Sequence, residues 1–156
     1  MDILLTHGYF LYQDPHEMQV MKPYPPLGIL YISSYLKSKG FDVSVFDTTF
    51  SALDKFKQAI HEQKPSIVGI YTNMMTKRNV LKMIDFLKNQ DIYIVLGGPD
   101  PPYYAQQYLE HGADIIVQGE GEITLEELIP HLTQYGLTQL DTIKGIKWLD
   151  DSGALV

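Results

Sequence analysis

Two apolar runs decide the fold of this chain, Ile67-Val68-Gly69-Ile70-Tyr71 and Ile92-Tyr93-Ile94-Val95-Leu96. Between them, in the segment from Thr76 to Asn89, apolar side chains recur three and four residues apart, at Val80, Ile84 and Leu87. Short continuous apolar runs are typical of strands buried on both faces, and the spacing between them is that of an amphipathic helix. This stretch therefore predicts two parallel strands joined by a helical crossover.

The same alternation of apolar runs and helical segments extends over the rest of the chain. The other predicted strands are Ile3–Leu5, Val43–Phe46 and Ile115–Val117. The other predicted helices are Leu27–Lys39, Ser51–Gln63, Tyr103–His111 and Ile123–Tyr135. Right-handed crossovers then predict an α/β fold, a doubly wound, Rossmann-like sheet of five parallel strands in the flavodoxin-like order 2-1-3-4-5. The tail from Gly145 to Val156 predicts a C-terminal hairpin around an Asp/Gly turn.

The composition excludes several classes of function. The 156 residues are 45% hydrophobic and 20% charged, which is typical of a globular domain. The absence of cysteine excludes a disulfide, a thiolate nucleophile and a cysteine-held zinc ion or iron–sulfur cluster within this chain. A net charge of -7 without a Lys/Arg cluster argues against a nucleic-acid or anionic membrane surface. The chain has neither a signal peptide nor a membrane-spanning run, so we expect a soluble, cytoplasmic domain.

Loops rich in glycine, proline and small polar residues follow the predicted strands, at the sheet edge where ligands bind in such folds. The first connection, Gly8 to Pro26, is far longer than the usual ~2–6 residues, and such loops are usually functional or disordered. Its aromatic residues suit either a binding surface or anchoring of the loop on the core. The glycines after the fourth and fifth strands suit either tight turns or close approach of a ligand. The later strand ends carry Asp47, Thr72-Asn73, Gly97-Gly98-Pro99 and Gly119-Glu120-Gly121.

Related functions of this fold can be tested at the same positions. A phosphoacceptor receiver domain needs an aspartate at the end of the third strand, where this chain has Tyr71-Thr72-Asn73. A flavodoxin needs a short Ser/Thr/Gly phosphate loop after the first strand, where this chain has a long aromatic loop beginning at His7. Gly119-Glu120-Gly121-Glu122 lacks the third glycine of a dinucleotide fingerprint and places carboxylates where a pyrophosphate would bind.

Three segments, taken together and in order, resemble a known family. They are Pro23-Tyr24-Pro25-Pro26-Leu27-Gly28-Ile29-Leu30-Tyr31-Ile32-Ser33-Ser34-Tyr35-Leu36, then Val95-Leu96-Gly97-Gly98-Pro99, then Gly119-Glu120-Gly121-Glu122 followed by Thr124. They are similar to the N-terminal cobalamin-binding domain of class B radical S-adenosylmethionine enzymes. That family includes the anaerobic magnesium-protoporphyrin monomethyl ester cyclase and many methyltransferases. The resemblance covers nearly the whole chain.

The resemblance implies that the chain binds cobalamin, the corrinoid vitamin B12, over the C-terminal edge of the sheet. Residues 1–140 would form the cobalamin-binding domain, and residues 141–156 a hairpin or linker toward a radical S-adenosylmethionine domain. The iron–sulfur cluster and S-adenosylmethionine would belong to that missing partner domain, so this chain alone would not be catalytic. The residues implied in cofactor binding are Tyr9, Tyr24, Pro26, Leu27, Asp47, Thr72, Asn73, Gly97, Gly98, Pro99, Gly119, Glu120 and Gly121.

The sequence contains one candidate for a side chain that could bind cobalt. Other cobalamin-binding proteins use an Asp-x-His-x-x-Gly loop, in which the aspartate orients the imidazole. Asp14-Pro15-His16 matches its first half, but Gln19 stands where the glycine should be. His16 is thus the candidate ligand, although the class B radical family commonly lacks one, and we expect none here. The alternative function is a non-catalytic small-molecule or partner-binding module that no longer binds a corrin.

Overall fold

Six strands form one sheet in the order β2-β1-β3-β4-β5-β6 in the computed structural model, which describes residues 1–156. The first five strands run parallel, and β6 pairs antiparallel with β5. The strands are β1 Ile3–His7, β2 Val43–Phe46, β3 Ile67–Tyr71, β4 Tyr93–Gly97, β5 Ile115–Val117 and β6 Ile146–Lys147. The predicted α/β fold and the order of its five parallel strands are therefore confirmed.

The chain has six α-helices, five of which cover the sheet, and two short 3-10 helices, Leu11–Gln13 and Leu140–Thr142. The α-helices are α1 Pro15–Val20, α2 Leu27–Ser38, α3 Leu53–Gln63, α4 Lys77–Leu87, α5 Ala105–His111 and α6 Gly121–Tyr135. None of them is long and apolar enough to cross a membrane.

Three local features differ from the sequence-based expectations. The long first connection contains α1, whose start is capped by the Asp14 carboxylate, which accepts hydrogen bonds from the His16 and Glu17 backbone N–H groups. Helix α3 begins at Leu53 rather than at Ser51, because its N-cap is Ala52 and no side chain caps it. The tail pairs with itself through a bridge between Leu149 and Leu155, as predicted, but its first arm also joins the sheet as β6.

Each face of the sheet has its own apolar core, which explains why the strands are continuous apolar runs. On one face Leu4, Val68 and Leu96 pack against α3, α4 and α5. On the other face alternate strand residues such as Leu5 and Val95 pack against α2 and α6. Three helices therefore cover one face and two cover the other, and the second face contains the site described below.

Replacing Phe56 by alanine tests the three-helix core. Phe56 is fully buried and contacts the rings of Phe46 and Phe86 edge to face, at centroid distances of 5.9 and 6.3 Å. We expect Phe56→Ala to lower the free energy of unfolding by about 3–5 kcal/mol, the usual cost of a large cavity. Phe50→Ala is the matched control, because that ring is 72% exposed, and it should change the value by less than about 0.5 kcal/mol. Urea unfolding measures both, and equal losses would contradict the core assignment.

Candidate functional site

A deep crevice opens at the carboxyl edge of the sheet, on the face covered by α2 and α6. Its volume is about 450 Å³, within the ~300–1,000 Å³ range of small-molecule sites. Most of its accessible wall is apolar. The crevice is lined by Leu5, Leu27, Gly28, Ile29, Tyr31, Ile32, Gly69, Ile70, Tyr71, Val95, Gly97, Gly98, Val117, Gly119, Glu120, Gly121, Glu122 and Leu125.

The floor of the crevice is open because one central strand residue has no side chain. Leu5, Gly69 and Val95 lie side by side in register on β1, β3 and β4. A Cβ atom on Gly69 would lie 2.8 Å from Leu5 Cδ2, so any side chain there would displace Leu5. A glycine inside a buried strand weakens the strand and often marks a place where a ligand approaches the backbone.

A second cavity, which we call the loop pocket, adjoins the crevice beneath the β1–α2 connection. It measures about 560 Å³ and is more polar than the crevice. Leu27, Gly28, Ile29 and Tyr71 line both, so the two cavities adjoin along these residues, and we call the pair the trough. The other residues of the loop pocket are His7, Tyr9, Asp14, Glu17, Pro23, Tyr24, Pro25, Pro26, Thr49, Asn73, Met75 and Thr76.

A hydrogen-bond network around His7 holds the start of the long connection. The ring of His7 is buried, and its Nε2 lies 2.8 Å from Asp47 Oδ1. Its Nδ1 accepts a hydrogen bond of 3.2 Å from the Tyr9 backbone N–H, so the proton of the neutral ring is on Nε2. Thr48 Oγ1 lies 2.7 Å from the Tyr9 carbonyl oxygen. Both ring nitrogens of His7 are thus engaged within the protein.

The same network determines the charge of Asp47. Partial burial acts to raise the pKa of this carboxyl, but hydrogen bonds from Thr49 and His7 outweigh it and lower the pKa below its ordinary value. The Thr49 backbone N–H donates at 2.9 Å to the same oxygen that faces His7. Asp47 is therefore a carboxylate at neutral pH, and it tethers the end of β1 to the end of β2.

The loop after β4 is held close to the loop after β3. Gly98 has φ +104°, and a Cβ on it would lie 2.4 Å from the Thr72 carbonyl oxygen, so only glycine fits. Farther along, the Tyr108 hydroxyl donates to the buried Asp100 carboxylate at 2.6 Å. Burial, together with Asp100, raises the pKa of Tyr108 above its ordinary value. Lys77 Nζ lies 3.7 Å from Asp100 and 3.9 Å from the centre of the Tyr104 ring, which fixes α4 against this loop.

The structure brings most of the predicted site residues to this trough. Ten of the thirteen line it: Tyr9, Tyr24, Pro26 and Asn73 in the loop pocket, Gly97, Gly98, Gly119, Glu120 and Gly121 in the crevice, and Leu27 in both. Asp47, Thr72 and Pro99 line neither cavity. Asp47 is bound to His7, Thr72 is buried, and Pro99 is exposed on the outer side of its turn. The assignment of these residues to a cofactor stays a prediction.

Residues of the crevice floor, Leu5, Gly69, Val95 and Val117, were not predicted. The glycine at position 69 within a buried strand was the one signal for them. The two serines of the first family-like segment line neither cavity, since Ser33 is buried and Ser34 is exposed on α2. His16 is exposed on α1 and also lies outside the trough. No group of three His, Cys, Asp or Glu side chains is close enough to hold a metal ion.

Comparisons with known proteins point to one family. The family described as the B12 binding domain matches residues 19–129. An anaerobic magnesium-protoporphyrin IX monomethyl ester cyclase of Synechocystis is 31% identical over 135 residues, which are 81% of this chain and 27% of that protein. An uncharacterised methyltransferase of Pyrococcus horikoshii is 29% identical over 119 residues, 70% of this chain and 25% of that protein. A hopanoid C-3 methylase of Methylococcus capsulatus is 25% identical over 136 residues, 82% of this chain and 26% of that protein. The chain thus spans about a quarter of the length of these relatives.

Asp47→Asn tests the network through the pH dependence of stability. Folding lowers the pKa of this carboxyl. The carboxylate therefore stabilises the fold at pH values above its pKa in the unfolded chain, which is about 4. This stabilisation is lost as the pH falls through the lower pKa of the folded state. We expect the variant to be about 1 kcal/mol less stable at pH 7, since solvent screens a side chain that is 45% exposed. The difference from the parent should disappear as the pH falls below the folded pKa of Asp47. Asp54→Asn, at a side chain 95% exposed, is the control and should change little. A difference that grows on acidification would contradict the assignment.

Proposed function

The chain belongs to the B12-binding domain family, and we propose that it holds cobalamin in the trough at the carboxyl edge of its sheet. The parent protein would be a radical S-adenosylmethionine enzyme of the methyltransferase or oxidative cyclase type. One observation carries the proposal: an apolar crevice that reaches the middle of the sheet adjoins a larger, more polar pocket. Cobalamin has these same two parts, a flat base on a nucleotide tail and a broad ring bearing amides.

The crevice fits the nucleotide tail. Leu5, Val95, Val117 and Leu125 give it apolar walls that suit a flat heteroaromatic base. Gly69 leaves the floor free of a side chain, and Gly121 keeps the wall formed by α6 thin. These residues would bind the base by burial and packing.

The loop pocket fits the edge of the amide-bearing ring. Tyr9, Thr49 and Asn73 bring hydroxyl and amide groups to its wall, and Tyr24 and Tyr71 add aromatic surface. The side chain of Tyr24 is 93% exposed, so its ring is free to cover a ligand. The His7 network holds the connection that forms this wall, which would orient these groups before the ligand enters.

The chain does not offer an oriented imidazole to cobalt. His7 uses both ring nitrogens within the protein, and His16 is exposed on α1 with Asp14 capping the helix rather than orienting the ring. The residues present therefore favour binding without a protein ligand below the metal.

The composition of this chain and the names and lengths of its relatives suggest which part of the parent enzyme would hold each cofactor. Bound cobalamin supplies a cobalt centre that can accept and donate a methyl group. Relatives of this chain carry the names methyltransferase, methylase and cyclase, and they are about four times as long as the segment they share with it. This chain has no cysteine, so the cluster that cleaves S-adenosylmethionine would belong to another part of the enzyme. Alone, the chain would bind and position the cofactor.

Titration of the chain with hydroxocobalamin tests the proposal. We expect binding with an absorbance change typical of release of the tail from cobalt. Gly69→Val should weaken cobalamin binding about tenfold or more, because the new side chain occupies the crevice floor. Cobinamide, which has the ring but no nucleotide tail, serves as the control ligand, and its affinity should stay within about twofold of the parent value. Thermal melting verifies that the variant folds. If neither corrinoid binds the parent chain, the proposal is wrong.

The cobalt(II) form of the complex tests the lower ligand. We expect an electron paramagnetic resonance spectrum without nitrogen splitting of the cobalt lines, because neither the tail nor a histidine occupies that position. His16→Ala should leave the spectrum unchanged. A nitrogen splitting that disappears in His16→Ala would contradict this prediction and identify His16 as the ligand.

A further inference from the structure

The two helices that form the walls of the crevice are joined by a small polar cluster at its inner end. Tyr35 on α2 donates a hydrogen bond of 2.5 Å to Glu126 Oε2 on α6. Lys39, at the end of α2, places its Nζ 3.0 Å from the other oxygen, Glu126 Oε1, and 5.1 Å from the centre of the Tyr35 ring. We call these three residues the helix clamp. No other hydrogen bond or ion pair joins α2 to α6.

Helical spacing places the clamp directly below the crevice. Ile32 lines the crevice from α2, and Tyr35 follows three residues later on the same side of the helix. Glu122 lines it from α6, and Glu126 follows four residues later. About one turn beyond the residues that line the crevice, the two helices are therefore joined at the clamp.

Apart from the clamp, the contact between α2 and α6 is apolar. The distance between the two helices therefore depends on the clamp. A Cβ on Gly121 would lie 3.0 Å from Ile32 Cδ1, so the helices approach closely beside the crevice without a large side chain to space them. The Tyr35 hydroxyl, together with Lys39, holds the pKa of Glu126 below its ordinary value, so its carboxylate is charged at neutral pH. Both of its oxygens are then engaged by the opposite helix.

We propose that Tyr35, Lys39 and Glu126 are positioning residues that set the width of the crevice and hold it ready for the nucleotide tail of a corrinoid. This inference rests on the proposed function. The clamp residues line neither the crevice nor the loop pocket, so they would act without contacting the ligand. It acts through the angle between α2 and α6, so its loss should affect only ligands that carry a tail. A residue that merely stabilised the domain would affect every corrinoid alike.

Tyr35→Phe removes the hydrogen bond to Glu126, and Glu126→Gln removes the charge that pairs with Lys39, while each keeps the shape of its side chain. We expect each to weaken cobalamin binding about fivefold, the size of one partly exposed charged hydrogen bond, and to leave cobinamide binding within about twofold. In the double variant the loss of cobalamin affinity should be smaller than the two single losses combined, because both substitutions act on the same cluster. Glu110→Gln is the matched control, since that carboxylate accepts from Gln106 on α5, on the opposite face of the sheet.

Hydrogen exchange in the cofactor-free chain gives a second readout. The backbone amides of α2 and α6 that border the crevice should exchange faster in Tyr35→Phe than in the parent, with no change in α3 to α5. Equal weakening of both corrinoids, or unchanged affinities and exchange rates, would overturn the role of the clamp while leaving cobalamin binding intact. A parent chain that binds neither corrinoid would instead contradict the proposed function, and the clamp's role with it.

Discussion

The uneven covering of the sheet is the constraint on which the rest of the structure depends. Adjacent strands are about 4.8 Å apart and a helix is about 10 Å wide, so each face of five parallel strands has room for more than two helices. Helices α3, α4 and α5 cover one face, and only α2 and α6 cover the other. Because α2 and α6 also meet at one end, the space that remains on their face is concentrated at the other end. That end is the carboxyl edge of the strands, where the loops are richest in glycine.

The residues around this space keep it open because several of them are glycines. Gly69 and Gly121 omit the atoms that would close the crevice, and Gly98 allows two strand-end loops to touch. Gly69 and Gly121 weaken their strand and helix relative to a larger residue, whereas the backbone at Gly98 accepts only glycine. Hydrogen bonds at the margins of the trough offset this loss of stability. His7 is bonded to Asp47 on one side, and Tyr35 is bonded to Glu126 at the inner end. The polar contacts that hold the site in shape therefore lie in the His7 network and in the helix clamp.

How far the sequence predicted this arrangement depends on the range of the interactions involved. Strands β1 to β5 followed from apolar runs, a local signal, and their bounds were correct within two residues. The short strand β6 was not predicted as part of the sheet, because two residues carry no period. The crevice floor was missed for a different reason: whether Gly69 opens onto a cavity depends on where α2 and α6 pack. Asp47, Thr72 and Pro99 end up outside the trough because a position at a strand end does not determine where its side chain points.

The two faces of the sheet therefore carry different tasks. The three-helix face is close packed around large residues such as Phe56, Met83 and Tyr108, each of which is fully or almost fully buried. Burial of that kind is the main source of folding free energy. The two-helix face buries less apolar surface because the crevice stays open, so its stability depends more on a few polar contacts. Substitutions on the first face should act mainly through folding. Those around the crevice should separate binding from folding, which is the property that makes the site accessible to mutational tests in so small a domain.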